Sequence, residues 1–266
     1  MSDDHDRLPD GWGASTPKTD TLLREFIEAY ADLCEGIGTS TDSPTIRTDD
    51  FVAFDSHAAF PFFNIAVPLR PVLDERDPLL DEISEFFAPD EESTPFLVYS
   101  GTPMPWLGDR GWTLMGHPPL MLRPAGPADV PAPSGLEIVE VRDEPTLEQF
   151  DVTMVEAYPV PELAGRSNFR PGLLDLEGWH MWLGVLDGEP VGTAAAHVTD
   201  SLVDVEWIST RPSARGRRVG EALTWAATLA NPDLPAMLIA SDLGQPVYER
   251  MGYLRLMRFT LWMGRR

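Results

Sequence analysis

The segment RPSARGRRVGEAL, Arg211 to Leu223, places Arg211, Arg215, Arg217 and Arg218 directly before an apolar-periodic stretch that reads as a helix. A helix start carries unpaired N–H groups and a partial positive charge, so cations gathered there are disfavoured unless an anion joins them. Gly216 and Gly220 leave the turn bare enough for a ligand to reach the main chain. These features describe an anion site, with phosphate as the natural occupant. The spacing is not that of the common nucleotide loops, since no Lys-Ser/Thr follows and no G-x-G-x-x-G is present. Taken alone, it is also the pattern of an ordinary arginine-rich turn.

Other chemistry-bearing residues flank this turn. Asp204 and Glu206 alternate along VDVEWIST and so point to one face of a strand, with Val203, Val205 and Trp207 on the other. Trp179, His180 and Trp182 flank another strand, where aromatic faces would suit a cation and where core or rim packing is the plainer reading. The five histidines share no ligand spacing on one element, so no metal is expected. Cys34 is the only cysteine, which rules out an internal disulfide and a Cys-based metal cage. Its place in an apolar helical pattern predicts a buried, inert thiol.

The elements that must position these residues follow from periodicity. A helix is expected over TDTLLREFIEAYADLCEGIG, with Gly36 able to end it, and strands at DFVAFDS, FNIAVPL and PFLVYS around a helix PLLDEISEFF. RPAGPADVPAPSG, Arg123 to Gly135, has linker composition. Beyond it, LEIVEV, MWLGVLDGEPVGTAAAHV with a hairpin at Asp187-Gly188, LVDVEWIST, AMLIAS and a single final strand LMRFTLWM alternate with helices at EPTLEQFDVTMVEAY, Gly220 to about Ala230 and around Tyr248. The fold class is α/β, an α+β mixed sheet. The expected division is a disordered acidic N-terminus over 1–19, a first domain over 20–122, a linker over 123–135 and a second domain over 136–266.

A shift of 141 residues superposes the two halves without gaps. It pairs Arg70-Pro71 with Arg211-Pro212, Leu97 with Leu238, Ser100 with Ser241, Pro105 with Pro246 and Gly111 with Gly252. Opposite Arg215 to Gly220 stand Asp74, Glu75, Arg76, Asp77, Pro78 and Leu79, so glycines are replaced and acids have arrived. Leu107 stands opposite Tyr248. The second half is built for an anion and the first against one. Arg211 has a counterpart in Arg70 and is read as structural.

Composition narrows the partners. The formal net charge is −23, with 43 acidic residues against 20 basic ones, and Lys18 is the sole lysine. A phosphate backbone requires a basic face, so no nucleic acid is expected. The acidity reads as surface solubility or as attraction of a cationic substrate such as an amine. No apolar run approaches the roughly 18 residues of a spanning helix, and the N-terminus is acidic where a secretory signal is basic. A cytoplasmic protein that does not enter the membrane is expected.

The order strand WIST, turn RPSARGRRVG, amphipathic helix, strand and PVYERMGY resembles the GNAT superfamily of acyl-CoA-dependent N-acyltransferases, over about Leu136 to Met263. The family loop Arg/Gln-x-x-Gly-x-Gly/Ala maps to Arg215, Arg218 and Gly220, with Arg218 where glycine is usual. The resemblance implies two GNAT-like domains in tandem, the first a degenerate copy, and acetyl-CoA as co-substrate. Its pyrophosphate would rest on N–H groups from Arg217 to Val219 and Gly220, beside Gly216, with the guanidinium groups of Arg215, Arg217 and Arg218 adding charge-assisted hydrogen bonds. Main-chain groups at Ile208 and Thr210 would pair with the pantetheine arm. Tyr248 would protonate the departing thiolate, and Glu206 would take the amine proton, with Asp204 or a water path as alternatives. Glu156, Tyr158 and Glu162 become candidate contacts to a small-molecule or peptide amine. The first half would pack against the second, shape the acceptor cleft or form a homodimer surface. A non-catalytic acyl-CoA-binding protein is the alternative function.

Overall fold

Strict alternation along the strands assigns each residue a face, and the faces define five layers. The computed structural model describes residues 22–58, 61–87, 94–130, 133–158 and 169–265. The expected disordered segment 1–19 and the candidate contact Glu162 lie outside them. The helices are α1 (Leu22–Ser40), α2 (Pro78–Phe86), α3 (Glu144–Ala157), α4 (Val219–Thr228) and α5 (Gln245–Arg250). The strands are β1 (Thr45–Arg47), β2 (Phe51–Asp55), β3 (Asn64–Pro68), β4 (Pro95–Ser100), β5 (Thr113–Gly116), β6 (Pro119–Arg123), β7 (Leu136–Glu140), β8 (Trp179–Leu186), β9 (Glu189–Val198), β10 (Val203–Thr210), β11 (Ala236–Ile239), β12 (Leu254–Arg258) and β13 (Thr260–Arg265).

One sheet has the order β1-β2-β3-β4-β13-β5, the other β12-β6-β11-β10-β9-β8-β7. Leu97 and Tyr99 of β4 join the central core between the sheets, together with Phe26 of α1, Phe150 of α3 and Met237 of β11. Phe96 and Val98 of the same strand join an outer core under α2. On β10, Val203 and Val205 face the other outer core, under α4. The two sheets are thus bonded through one shared apolar layer that holds α1 and α3.

The sheets also exchange strands. The expected single strand LMRFTLWM is broken at Phe259, where the chain passes from one sheet to the other: β12 pairs with β6, while β13 lies between β4 and β5. In return β6 lies between β11 and β12. Residues 141 apart mark both crossings, for the Phe259 N–H donates to Pro118 O at 2.9 Å and the Arg258 guanidinium to His117 O at 2.6 Å. The boundaries 20–122 and 136–266 therefore cut across both sheets. Each half lends the other one strand.

Equivalent strands keep the same sense of pairing. β3 and β4 are parallel, as are β10 and β11, while β4 with β13 and β11 with β6 are antiparallel. Gly36 does not end α1, which runs on to Ser40. A Cβ at Gly36 would meet Leu176 at 2.7 Å and one at Gly38 would meet Phe54 at 2.7 Å, so these glycines serve close packing. Cys34 is buried, and burial raises its thiol pKa well above the usual range, the state of an inert thiol.

Candidate active site

β10 and β11 pair only at Val203–Ala236 and Asp204–Met237. Beyond these pairs the strands part, and Val205 to Ile208 and Leu238 to Asp242 line a cavity of about 650 Å³. A bulge in β10 aids the parting. The β9 register shifts between Glu206 and Ser209, and Trp207 takes φ +51°, held by a hydrogen bond from Thr193 Oγ1 to its carbonyl at 2.8 Å. The bulge corrects one expectation: Trp207 does not share a face with Val203 and Val205, but turns into the central core against Phe169 at 4.7 Å and Trp179 at 4.8 Å. β3, the counterpart in the other sheet, pairs with β2 without a register shift.

Glu206 and Tyr248 line the same cavity. Burial pushes the Glu206 carboxyl up to about 7, the pKa of a base that is half ionised at neutrality. Burial also raises the Tyr248 phenol, which therefore keeps its proton at neutral pH and is a weak acid. Asp204 is fully buried at 0% exposure, with the Glu206 carboxyl as its polar neighbour. Burial and the neighbouring Glu206 push its pKa well up. Glu206 lines the cavity and Asp204 does not, so Glu206 is the better placed of the two carboxyls.

The arginines of the turn are occupied within the protein. Arg211 pairs with Glu156 at 2.8 Å, Arg215 donates to Ala157 O at 3.0 Å and to Thr210 O at 3.3 Å, and Arg217 pairs with Asp187 at 3.3 Å. Arg218 grips Glu221 with two bonds of 3.1 and 2.6 Å. Nearby carboxylates and carbonyls thus engage the side chains of Arg215, Arg217 and Arg218, the three expected to face an anion. Arg218 has φ +62°, a left-handed conformation that glycine adopts freely, which accounts for glycine at this place in the family loop. It provides no side-chain cap to α4. The N–H groups of the first turn, up to Val219 and Gly220, therefore remain the donors for a ligand. Gly216, at φ +77°, has nothing within 4 Å of where a Cβ would stand.

The first half shows the contrast. At the start of α2, Asp77 accepts from the Leu79 N–H at 3.1 Å, and Arg70 holds Asp77 with bonds of 2.7 and 2.8 Å. A carboxylate of the chain itself takes the place of an external anion there.

Other candidates are dispersed. Tyr158 lines the cavity, while Trp179 is buried against Trp207 and His180 stacks on Trp182 at 6.0 Å, none of these three reaching the cavity. Ile208 lines the cavity, and Thr210 closes the β10 ladder opposite Gly192. Sequence reasoning missed Tyr30, Phe62 and Tyr99, which line the cavity from the first half. Only a knowledge of how the halves face each other would have singled them out. Among the described residues, no three His, Cys, Asp or Glu side chains gather to hold a metal, and no helix is long and apolar enough to cross a membrane.

A mixed sheet that splays beside a helix start without a side-chain cap is the arrangement expected from the resemblance. Residues 141–253 match the family model described as acetyltransferase (GNAT) family, so this stretch carries a GNAT acetyltransferase domain. Among solved structures, a GCN5-related N-acetyltransferase from Kribbella flavida is similar with 21% identity and a TM-score of 0.62, covering 88% of this chain and 94% of that one. A GCN5-related N-acetyltransferase from Sphaerobacter thermophilus is similar with 18% identity and a TM-score of 0.51, over 81% of this chain and 76% of that one. A GCN5-related N-acetyltransferase-like protein from Streptococcus suis shows 13% identity and a TM-score of 0.50, over 92% and 98%. These likenesses are of fold, and they run through both halves. No curated protein matches the sequence.

Proposed function

We propose that the protein moves an acetyl group from acetyl-CoA to an amine on a small molecule or peptide by direct attack. The observation that carries this reading is the pairing of Glu206, with a pKa near neutrality, and Tyr248, which keeps its proton, on the walls of one cavity. The α4 start without a side-chain cap and the open space at Gly216 fit a pyrophosphate, held by N–H groups from Arg217 to Gly220. The pantetheine arm runs along the β10 edge that β11 leaves free, at Ile208 and Thr210. Acetyl-CoA supplies the acetyl group as an activated thioester. Glu206 accepts a proton from the amine, whose lone pair forms the C–N bond. Tyr248 gives its phenolic proton to the sulfur, which leaves with the electron pair of the broken C–S bond.

Thermal unfolding with acetyl-CoA tests the binding. A ligand at a hundredfold excess over Kd stabilises the native state by about 2.7 kcal/mol, a shift a melting curve resolves. Gly220→Asp adds a carboxylate where a Cβ would stand 3.0 Å from Thr210 Oγ1, and it should remove the shift while the protein still melts cooperatively. An unresponsive wild type would overturn the reading. Turnover with a panel of amines, followed by release of free thiol, should fall by about 10²–10⁴ in Tyr248→Phe and in Glu206→Gln. The alternative, a protein that binds acyl-CoA without turnover, is favoured by Arg218 at the glycine place; a melting shift with no thiol release from any amine would select it.

A further inference from the structure

We infer that the first half builds the acceptor site as an aromatic cage, in which Tyr30, Phe62 and Tyr99, joined by Tyr158, hold an ammonium group carried on an apolar body beside Glu206. The inference rests on the acetyltransferase reading for what becomes of the amine, and not for its binding.

The four rings form a continuous series, and each lines the cavity. Tyr30 meets Tyr99 edge-on at 5.7 Å, Phe62 lies 6.4 Å from Tyr99, and Phe62 lies 6.2 Å from Tyr158. Tyr30 comes from α1, Phe62 from the turn before β3 and Tyr99 from β4, so three of the four rings belong to the half whose own helix start is closed by Asp77. Ring faces attract a cation, most strongly where water is excluded. Glu206 shares the space and supplies the opposite charge. Burial raises the phenols of Tyr30 and Tyr99 and pushes that of Tyr158 up to about 12, so all three stay neutral and add no competing charge. The cationic side chain at the cavity edge, Arg258, donates to the His117 carbonyl.

The rest of the wall sets the body of the acceptor. Ile65, Met115 and Met154 line the cavity with apolar surface, and about 650 Å³ is the room of a ligand well beyond a simple alkylamine. Ser241, Asp242 and His117 lie elsewhere on the wall, so the apolar stretch formed by Ile65, Met115 and Met154 is where the body of the acceptor rests. The geometry points to an arylalkylamine or an amine of comparable apolar bulk.

Calorimetric titration of the full chain with 2-phenylethylamine, 2-phenylethanol and benzyltrimethylammonium tests this, the last having no N–H to acetylate. Both cations should bind, and the alcohol at least tenfold more weakly. Phe62→Ala and Tyr99→Leu should weaken the cations about five- to thirtyfold, while Tyr99→Phe should bind like wild type. Each variant should keep the wild-type melting shift with acetyl-CoA, which shows that its fold is intact. Equal binding of amine and alcohol, wild-type affinity in both ring-deleted variants, or no binding of any probe would overturn the cage. Loss of the acetyl-CoA shift in the wild type would overturn the transferase reading alone, since benzyltrimethylammonium reports on the cage without it.

Discussion

Asp204 is a carboxyl group buried beside Glu206, and its proton is bound more tightly in the folded chain than in the unfolded one. Its pKa lies well above the usual value of about 4, so the stability linked to this proton is fully present below that pH and is lost as pH rises through the folded value. Asp204→Asn removes the titration. Melting temperatures of wild type and variant should differ least near pH 4 and diverge upward in favour of the variant; divergence the other way would mean an ionised, paired Asp204. Glu206 carries the complementary expectation for activity. With its pKa pushed up to about 7, kcat should rise through that pH as the base ionises, and Glu206→Gln should flatten the rise. Arg218 offers a third test. Its left-handed backbone is strained for any residue with a Cβ, so Arg218→Gly should hold or raise the melting temperature despite losing Glu221, and should not weaken acetyl-CoA binding.

The helix starts of α2 and α4 are counterparts with opposite chemistry. Asp77→Ala removes the cap of α2 and should cost about 1 kcal/mol in denaturant unfolding, with the acetyl-CoA shift unaltered. These starts were legible in the sequence, because capping residues and turn glycines act within a few positions of themselves. So was the alternation that sets strand faces. Partners across space were not. Gly36 reads as a stop until Leu176 is seen against it, and LMRFTLWM reads as one strand because nothing local to Phe259 records the two sheets it serves. The partners of Arg211 and Arg217 could not be read from the turn, because Glu156 and Asp187 lie 55 and 30 positions away. Trp207 left its expected face because the bulge inserts a residue that alternation does not count. The β10 carboxylates were visible as candidates, whereas the rings of the cage, on α1 and β4, are far from them in sequence.

At the scale of the molecule, strand exchange makes two homologous-looking halves into one cooperative unit. A protease site placed between Pro127 and Ser134 should give two fragments that stay together in gel filtration, because β6 pairs with both β11 and β12 while β13 pairs with β4 and β5. Fragment 136–266 expressed alone should fail to give a soluble domain; a monomeric, folded fragment would contradict the role assigned to β6. The exchange also sets a timetable for biosynthesis. β13 pairs Thr260 with Ser100, so the first sheet keeps a gap between β4 and β5 until the chain has been made 160 residues beyond Ser100. During translation the first half waits, with the inner edge of β4 unpaired, until β13, made after the whole of the second sheet, closes it.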